Sequence, residues 1–178
     1  MQGAGGETYY APPLRFEMLR GRELVRMDVS NHNCGYWSNA GRMAVIGEPT
    51  NDQAAAYQGN LKLKEAAAET LVPGKKSKAV FNAVVLASRK QRVKFWEDVG
   101  VGHGVGVSDR EPPYLYSSDD TILKPGMVIA LDIYTFGPCK ELIHSIDTYE
   151  IVEHGSRLLS WYRNWDRLYA VTGVRSTH

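Results

Sequence analysis

Apolar and polar residues alternate through Leu24–Val29, with Val25, Met27 and Val29 spaced by Arg26 and Asp28. That period of two predicts a half-buried strand. A turn-rich stretch, Ser30–Gly35, follows. A second strand-like run then covers Tyr36–Asn39 and Met43–Ile46, so the two predict an antiparallel hairpin ended by Gly47-Glu48-Pro49. From Thr50 the spacing changes. Ala54, Tyr57, Leu61, Ala68 and Leu71 fall at helical intervals, with Thr50 and Gln53 placed as a capping box. Pro73-Gly74 stops that helix. Ser77 is the expected cap of a second one carrying Val80, Phe81, Val84 and Val85. The remainder reads as short strands, the strongest being Met127–Tyr134 and Ile143–Val152, with a turn at Glu153-His154-Gly155 leading to Leu158-Leu159. A hairpin, two helices and then strands make an α+β pattern.

Length adds one constraint: 178 residues allow a single domain. The expected division is an irregular segment 1–20, a domain over 21–172 and a frayed tail 173–178. Charge adds another. Lys plus Arg is 21 and Asp plus Glu is 20, a net +1, which gives no general attraction to nucleic acid or anionic membrane. No apolar run approaches 18 residues, and the first residues lack the basic-then-apolar pattern of a secretory signal. Cys34 and Cys139 are too few for a disulfide framework or a thiolate zinc site. A cytoplasmic protein without nucleic-acid or membrane partners is the expectation. The aromatic and basic stretch Trp161, Tyr162, Arg163, Trp165, Arg167, Tyr169 is expected to pack on the sheet or at a subunit interface rather than to stack on bases.

Several residues stand out chemically. His103 sits in the glycine-rich run Gly100–Val107. The run lacks the lysine of a phosphate-binding loop, so His103 is either a catalytic or ligand residue or a structural histidine bonded to a carbonyl. Asp132 lies mid-strand among apolar residues, where a carboxylate needs pairing, ligation or a catalytic role. Asp28 and Asn39 face each other across the predicted hairpin, as a shared ligand site or as turn support. Asp147 is similar to Asp132 but could sit on an edge. Arg42 could hold either Asp132 or Asp147, or lie at the surface.

In order, Gly102-His103-Gly104-Val105-Gly106, Glu111-Pro112-Pro113 and Leu123-Lys124-Pro125-Gly126-Met127-Val128-Ile129, behind the Asp28 hairpin, resemble the creatinase/aminopeptidase-like family. The resemblance runs from about Gly21 to Leu159. It implies an α+β pita-bread fold, N-terminally incomplete, with a curved, mainly antiparallel sheet and helices on one face. It also implies that a second copy or a partner chain covers the other face. Metal-dependent members hold two divalent ions with two aspartates, a histidine and two glutamates. Asp28 and His103 match that pattern. Asn39 stands at the second aspartate, Asp132 at the first glutamate and Ile146 at the second, ahead of the matching Asp147. Arg110 replaces the histidine before Glu-Pro-Pro, and a further family histidine falls near Tyr10 or Ala11.

This set is too poor in anionic ligands for a pair of dications, so no metal and no cofactor are expected. The resemblance then implies a hydrolase or lyase that cleaves a C–N bond of a small amidino, amide or amino-acid-like substrate without a dinuclear centre. His103 would be the general acid/base, Asp28 and Asp132 would orient it or the substrate, and Arg42, Arg110, Asn39 and Tyr10 would bind substrate. The alternatives are a non-catalytic relative acting as a binding or assembly subunit for a peptide or partner, and a metal-dependent Xaa-Pro-type peptidase.

Overall fold

The computed structural model describes residues 19–137, 140–162 and 166–173. β1 (Leu24–Asn33) and β2 (Tyr36–Ile46) form the expected hairpin. Its turn is shorter than the polar sequence suggests. Cys34 and Gly35 alone make it, both at positive φ (50° and 86°), the sense of twist that suits a two-residue hairpin. Ser30, Asn31 and Asn33 belong to the ladder instead. They are exposed, so no apolar alternation marks them as strand.

α1 (Asn51–Thr70) carries the capping box: Gln53 N donates to Thr50 Oγ1 (3.1 Å) and Thr50 N donates to Gln53 Oε1 (3.0 Å). α2 (Ser77–Gln91) departs from expectation. Lys76 is at its N-cap, and Ser77 lies inside the helix, donating to Asp119 O at 2.7 Å. A 3-10 turn at Glu97–Val99 precedes β3 (Gly102–Gly104) and β4 (Glu111–Tyr114). β5 (Val128–Phe136), β6 (Leu142–Val152) and β7 (Gly155–Leu158) follow. β8 (Tyr169–Val171), within the aromatic stretch, pairs parallel to β2.

The sheet order is β1-β2-β6-β5-β3-β4, with β7 beside β6, and every pairing on this path is antiparallel. Both helices cover one face. Leu63, Ala67 and Leu71 of α1 and Val80, Phe81 and Val84 of α2 pack on Ile129, Leu131 and Ile133 of β5. Alternation along β5 therefore sends Ala130, Asp132 and Tyr134 to the other face. Gly59 sits mid-helix because a Cβ there would lie 2.7 Å from Val93 Cγ2. No helix among the described residues is long and apolar enough to cross a membrane.

One polar contact pins helix to sheet. Asn60 is fully buried and donates to Ile133 O (2.9 Å), Thr135 Oγ1 (3.2 Å) and Ile143 O (3.3 Å), while Ser145 Oγ donates to its Oδ1 (2.6 Å). Asn60→Ala strands these partners without water. It is expected to cost about 2–3 kcal/mol in urea unfolding. A loss below about 0.5 kcal/mol would show that the tie contributes little net stability.

Candidate active site

The face opposite the helices collects the chemistry. Asp28 pairs with Gly41, Gly41 with Ile146 and Ile146 with Asp132, so one row crosses β1, β2, β6 and β5. The flanking rows bring in His144, opposite Tyr134, and His103, opposite Ala130. Asn39 pairs with Ser30, not with Asp28, and so sits diagonally from Asp28.

His144 joins the two aspartates. It is fully buried and its Nε2 lies 2.7 Å from Asp132 Oδ1. Its Nδ1 is 3.1 Å from Asp28 Oδ1, at ion-pair distance but off the line of a good hydrogen bond. The ring stacks on Tyr134 with centroids 3.9 Å apart, and the Arg26 guanidinium lies over Tyr134. Burial by itself would lower the His144 pKa, but the hydrogen bonds and charges of Asp132 and Asp28 outweigh it and raise it. Asp132 has the converse balance. Burial would raise it, but the hydrogen bond from His144 and the charges of His144 and Arg110 hold it below the usual carboxylate value. Arg110 Nη2 donates to Asp132 Oδ2 at 2.5 Å. Asp28, His144, Asp132 and Arg110 thus form one chain of alternating charge.

His103 stands beside that chain. Its Nδ1 lies 2.9 Å from Gly104 O, which can only accept, so Nδ1 carries the proton and Nε2 is a bare acceptor. Nε2 is buried without a hydrogen-bond partner among the described residues and lies 3.9 Å from Asp132 Oδ2. Burial lowers the His103 pKa and favours the neutral ring. The neighbouring glycines serve packing rather than a phosphate. A Cβ at Gly102 would sit 2.2 Å from Ala130 O, and one at Gly104 2.6 Å from Pro112 O. The loop after β3 crosses to the hairpin, where Trp37 N donates to Gly106 O (2.7 Å) and Ser30 Oγ to Asp109 Oδ1 (3.1 Å). That crossing delivers Arg110 to Asp132.

Arg42 is not part of this cluster. It follows Gly41 and so points to the helix side, where Nη2 pairs with Asp147 Oδ1 (2.6 Å) and Nη1 donates to Ile146 O (2.6 Å). Lys64 of α1 also pairs with Asp147, and Ser160 Oγ donates to it at 2.9 Å. Asn39 is buried on the His103 side, with its Oδ1 unpartnered among the described residues. Tyr10 and Cys139 lie outside the described residues. Sequence reasoning missed His144, Lys64 and Ser160. His144 carried a usable signal: it is two residues before Ile146, and a period of two places both on one face.

A pair of divalent ions does not fit this donor set. Both Asp132 oxygens are engaged, by His144 and Arg110. Ile146 offers no donor atom, and its Cγ1 fills the space where a Cβ on Gly41 would sit, 2.7 Å away. Among the described residues no three His, Cys, Asp or Glu side chains are grouped to hold a metal ion. The combined variant Asn39→Asp, Ile146→Glu and Arg110→His is therefore expected to gain manganese affinity by at least about tenfold, measured by calorimetric titration. Unchanged affinity would refute this account of the row.

A second expectation concerns pH. His144 is raised in the folded state, so its stabilisation is full below the unfolded value of about 6.5 and fades as pH rises through the folded pKa. Asp132 is depressed, so its contribution holds above about 3.9 and is lost as pH falls through its folded pKa. His103 is depressed too, so its contribution is complete above about 6.5 and adds no slope there. Relative to the parent, His144→Gln is expected to lose the decline in Tm above about pH 6.5. Parallel Tm profiles across pH 6–9 in thermal melts would contradict a charged His144.

Comparison with known proteins agrees with this architecture. The model of metallopeptidase family M24 matches residues 4–157. A probable dipeptidase PepE from Mycobacterium tuberculosis is 32% identical over 117 residues, 64% of this chain and 31% of that protein. The Xaa-Pro dipeptidase of Pyrococcus furiosus is 28% identical over 138 residues, 78% of this chain and 40% of that protein. A dipeptidase structure from Pyrococcus horikoshii superposes with a TM-score of 0.83 at 21% identity, covering 95% of this chain and 47% of that one. At that identity the likeness is one of fold. The chain spans between about a third and two fifths of the length of these curated relatives.

Proposed function

The chain belongs to metallopeptidase family M24, and from that premise we propose that it cleaves a C–N bond of a small amidino, amide or amino-acid-like substrate without a dinuclear metal centre. The observation that carries this is the buried Nε2 of His103, beside Asp132 and without a hydrogen-bond partner among the described residues. Buried polar side-chain atoms are in the large majority hydrogen-bonded, so an open ring nitrogen supports a role beyond structure.

In this scheme His103 Nε2 takes a proton from the attacking water. The imidazolium forms 3.9 Å from Asp132 Oδ2, which offsets its charge. As the C–N bond breaks, the same proton passes from Nε2 to the leaving nitrogen, so His103 ends neutral. Asp28, the exposed carboxylate of the group (40% side-chain exposure), would hold a cationic nitrogen of the substrate. With Arg42 on the other face, recognition of a substrate carboxylate falls to Arg110, about a third exposed. Names such as Xaa-Pro dipeptidase and probable dipeptidase among the relatives support an amide substrate.

One observation favours a second reading. His103 and Asp132 are almost wholly buried, and Arg110 and His144 together close Asp132. That closure suits a non-catalytic subunit. The outer part of the hairpin, with Val29 and Tyr36 exposed, would be its docking face for another copy or a partner chain.

The test is amine or ammonia release from a panel of dipeptides, Xaa-Pro peptides and amidino compounds in the presence of a chelator. Turnover is expected, with His103→Gln lowering it at least about 100-fold and shifting Tm by no more than a few degrees. Turnover that survives the substitution removes His103 from the mechanism. Turnover that vanishes only with the chelator restores metal chemistry, and none across the panel favours the binding subunit.

A further inference from the structure

β1 ends the sheet. Among the described residues no strand pairs with its outer side, and seven of its ten residues, Met27 to Asn33, are exposed. Edge strands are commonly blunted by proline, lysine or a bulge. β1 contains neither residue, and its pairing with β2 runs from Leu24 to Asn33 without a register shift. Its outer backbone groups are therefore in order for a further strand.

The phase of those groups follows from the turn. A two-residue turn makes Asn33 and Tyr36 a hydrogen-bonded pair, so odd-numbered residues of β1 turn their amides and carbonyls to β2. Two bonds fit that phase: Ile46 N donates to Glu23 O (3.0 Å), and Trp37 N donates away from β1, to Gly106 O. Leu24, Arg26, Asp28, Ser30 and His32 thus point their backbone groups outward. Side chains alternate as well. Val25, Met27 and Val29 lie on the helix side, and Arg26, Asp28 and Ser30 lie on the His103 side.

An antiparallel second copy of β1 could take several two-fold axes, and the side chains choose among them. With the axis at Met27, Arg26 of each copy stands opposite Asp28 of the other. On the helix side Met27 then faces Met27, and Val25 faces Val29. Moving the axis to Arg26 or to Asp28 sets like charges directly opposite each other, which is destabilising. Moving it to Val29 sets Met27 opposite Asn31 and loses both ion pairs. The Met27 axis also covers apolar surface, since Met27 is 41% and Val29 62% exposed.

We infer that β1 pairs antiparallel with β1 of a second copy about a two-fold axis at Met27, joining two sheets into one. Arg26 of each copy then meets Asp28 of the other. A carboxylate has about four acceptor positions, so Asp28 can serve His144, a substrate nitrogen and this contact together. The inference commits to one partner and one register, and it stands whether or not the chain is a catalyst.

Disulfide trapping reads the register. In a chain carrying Cys34→Ser and Cys139→Ser, Met27→Cys is expected to give a covalent dimer on mild oxidation. The axis residue faces itself at a Cα separation of about 4.5 Å, within disulfide reach. Val29→Cys lies about 14 Å from its own copy along the ladder and should crosslink at least about tenfold less. Sedimentation equilibrium of the unaltered chain at hundreds of micromolar should show dimer, and Met27→Lys should weaken it about fivefold or more with an unchanged far-UV spectrum. A monomer at those concentrations overturns the inference. Equal trapping at positions 27 and 29 overturns the register, and a dimer indifferent to Met27→Lys has its interface elsewhere and overturns the proposal too.

Discussion

The carboxylate of Asp132 sets the terms for the structure around it. It is 4% exposed in the middle of β5, between strands that offer no solvent. An isolated charge there costs several kcal/mol, and removing one partner of such a group costs about 3–5 kcal/mol. The chain meets that cost from two directions. His144 reaches Oδ1 from β6, and Arg110 reaches Oδ2 from the loop after β3. Because His144 also contacts Asp28 on β1, neutralising one carboxylate ties together three strands and a loop. The Gly106 and Asp109 contacts to the hairpin then hold that loop in place.

Much of this was open to sequence reasoning where local physics decides. The capping box of Thr50 and Gln53, the stop at Pro73-Gly74 and the buried run of β5 depend on neighbours in the chain, and they formed as expected. The order of the Gly102–Gly106, Glu111–Pro113 and Leu123–Ile129 segments pointed to the fold. What depends on register did not show. Asp28 pairs with Gly41 rather than Asn39 because the hairpin turn has two residues, and the polar run Ser30–Asn33 hid that. Register also decides between the two aspartates open to Arg42, and Arg42 falls to Asp147. Once Gly41 is known to share the Asp28 row, Arg42 must face the helices. His144 was hidden differently, since only the β5–β6 pairing places it opposite Tyr134 and beside Asp132. β8 is three residues long and gains its identity only from the edge of β2.

Alternation on β2 and β6 gives the sheet two unlike faces at the same height. Gly41 and Ile146 face the His103 side, while Arg42 and Asp147 face α1. Each face solves a buried aspartate with a pair of basic groups: His144 and Arg110 for Asp132, Arg42 and Lys64 for Asp147. The solutions differ in one respect that matters chemically. On the helix side the arginine is a fixed positive charge, and burial lowers the pKa of the lysine beside it. On the other face the bridging group is an imidazole, and a second imidazole waits beside it. Imidazoles are the side chains suited to exchanging protons near neutrality.

Charge balance explains why a pair of dications does not fit the His103 side. Two dications would bring four positive charges, and the row supplies Asp28 and Asp132 with a neutral Asn39 and an apolar Ile146. Arg110 brings one, and His144, whose pKa the two carboxylates raise, brings a second when protonated. The substitutions are therefore mutually consistent. Arginine at position 110 supplies the charge that Asp132 still requires, and isoleucine at 146 fills space against Gly41 that a ligand side chain would otherwise leave polar and unpaired. What the arrangement leaves over is His103 Nε2, buried without a hydrogen-bond partner among the described residues. On the proposed reading, a neutral base in such a place gains a proton next to a carboxylate and gives it back.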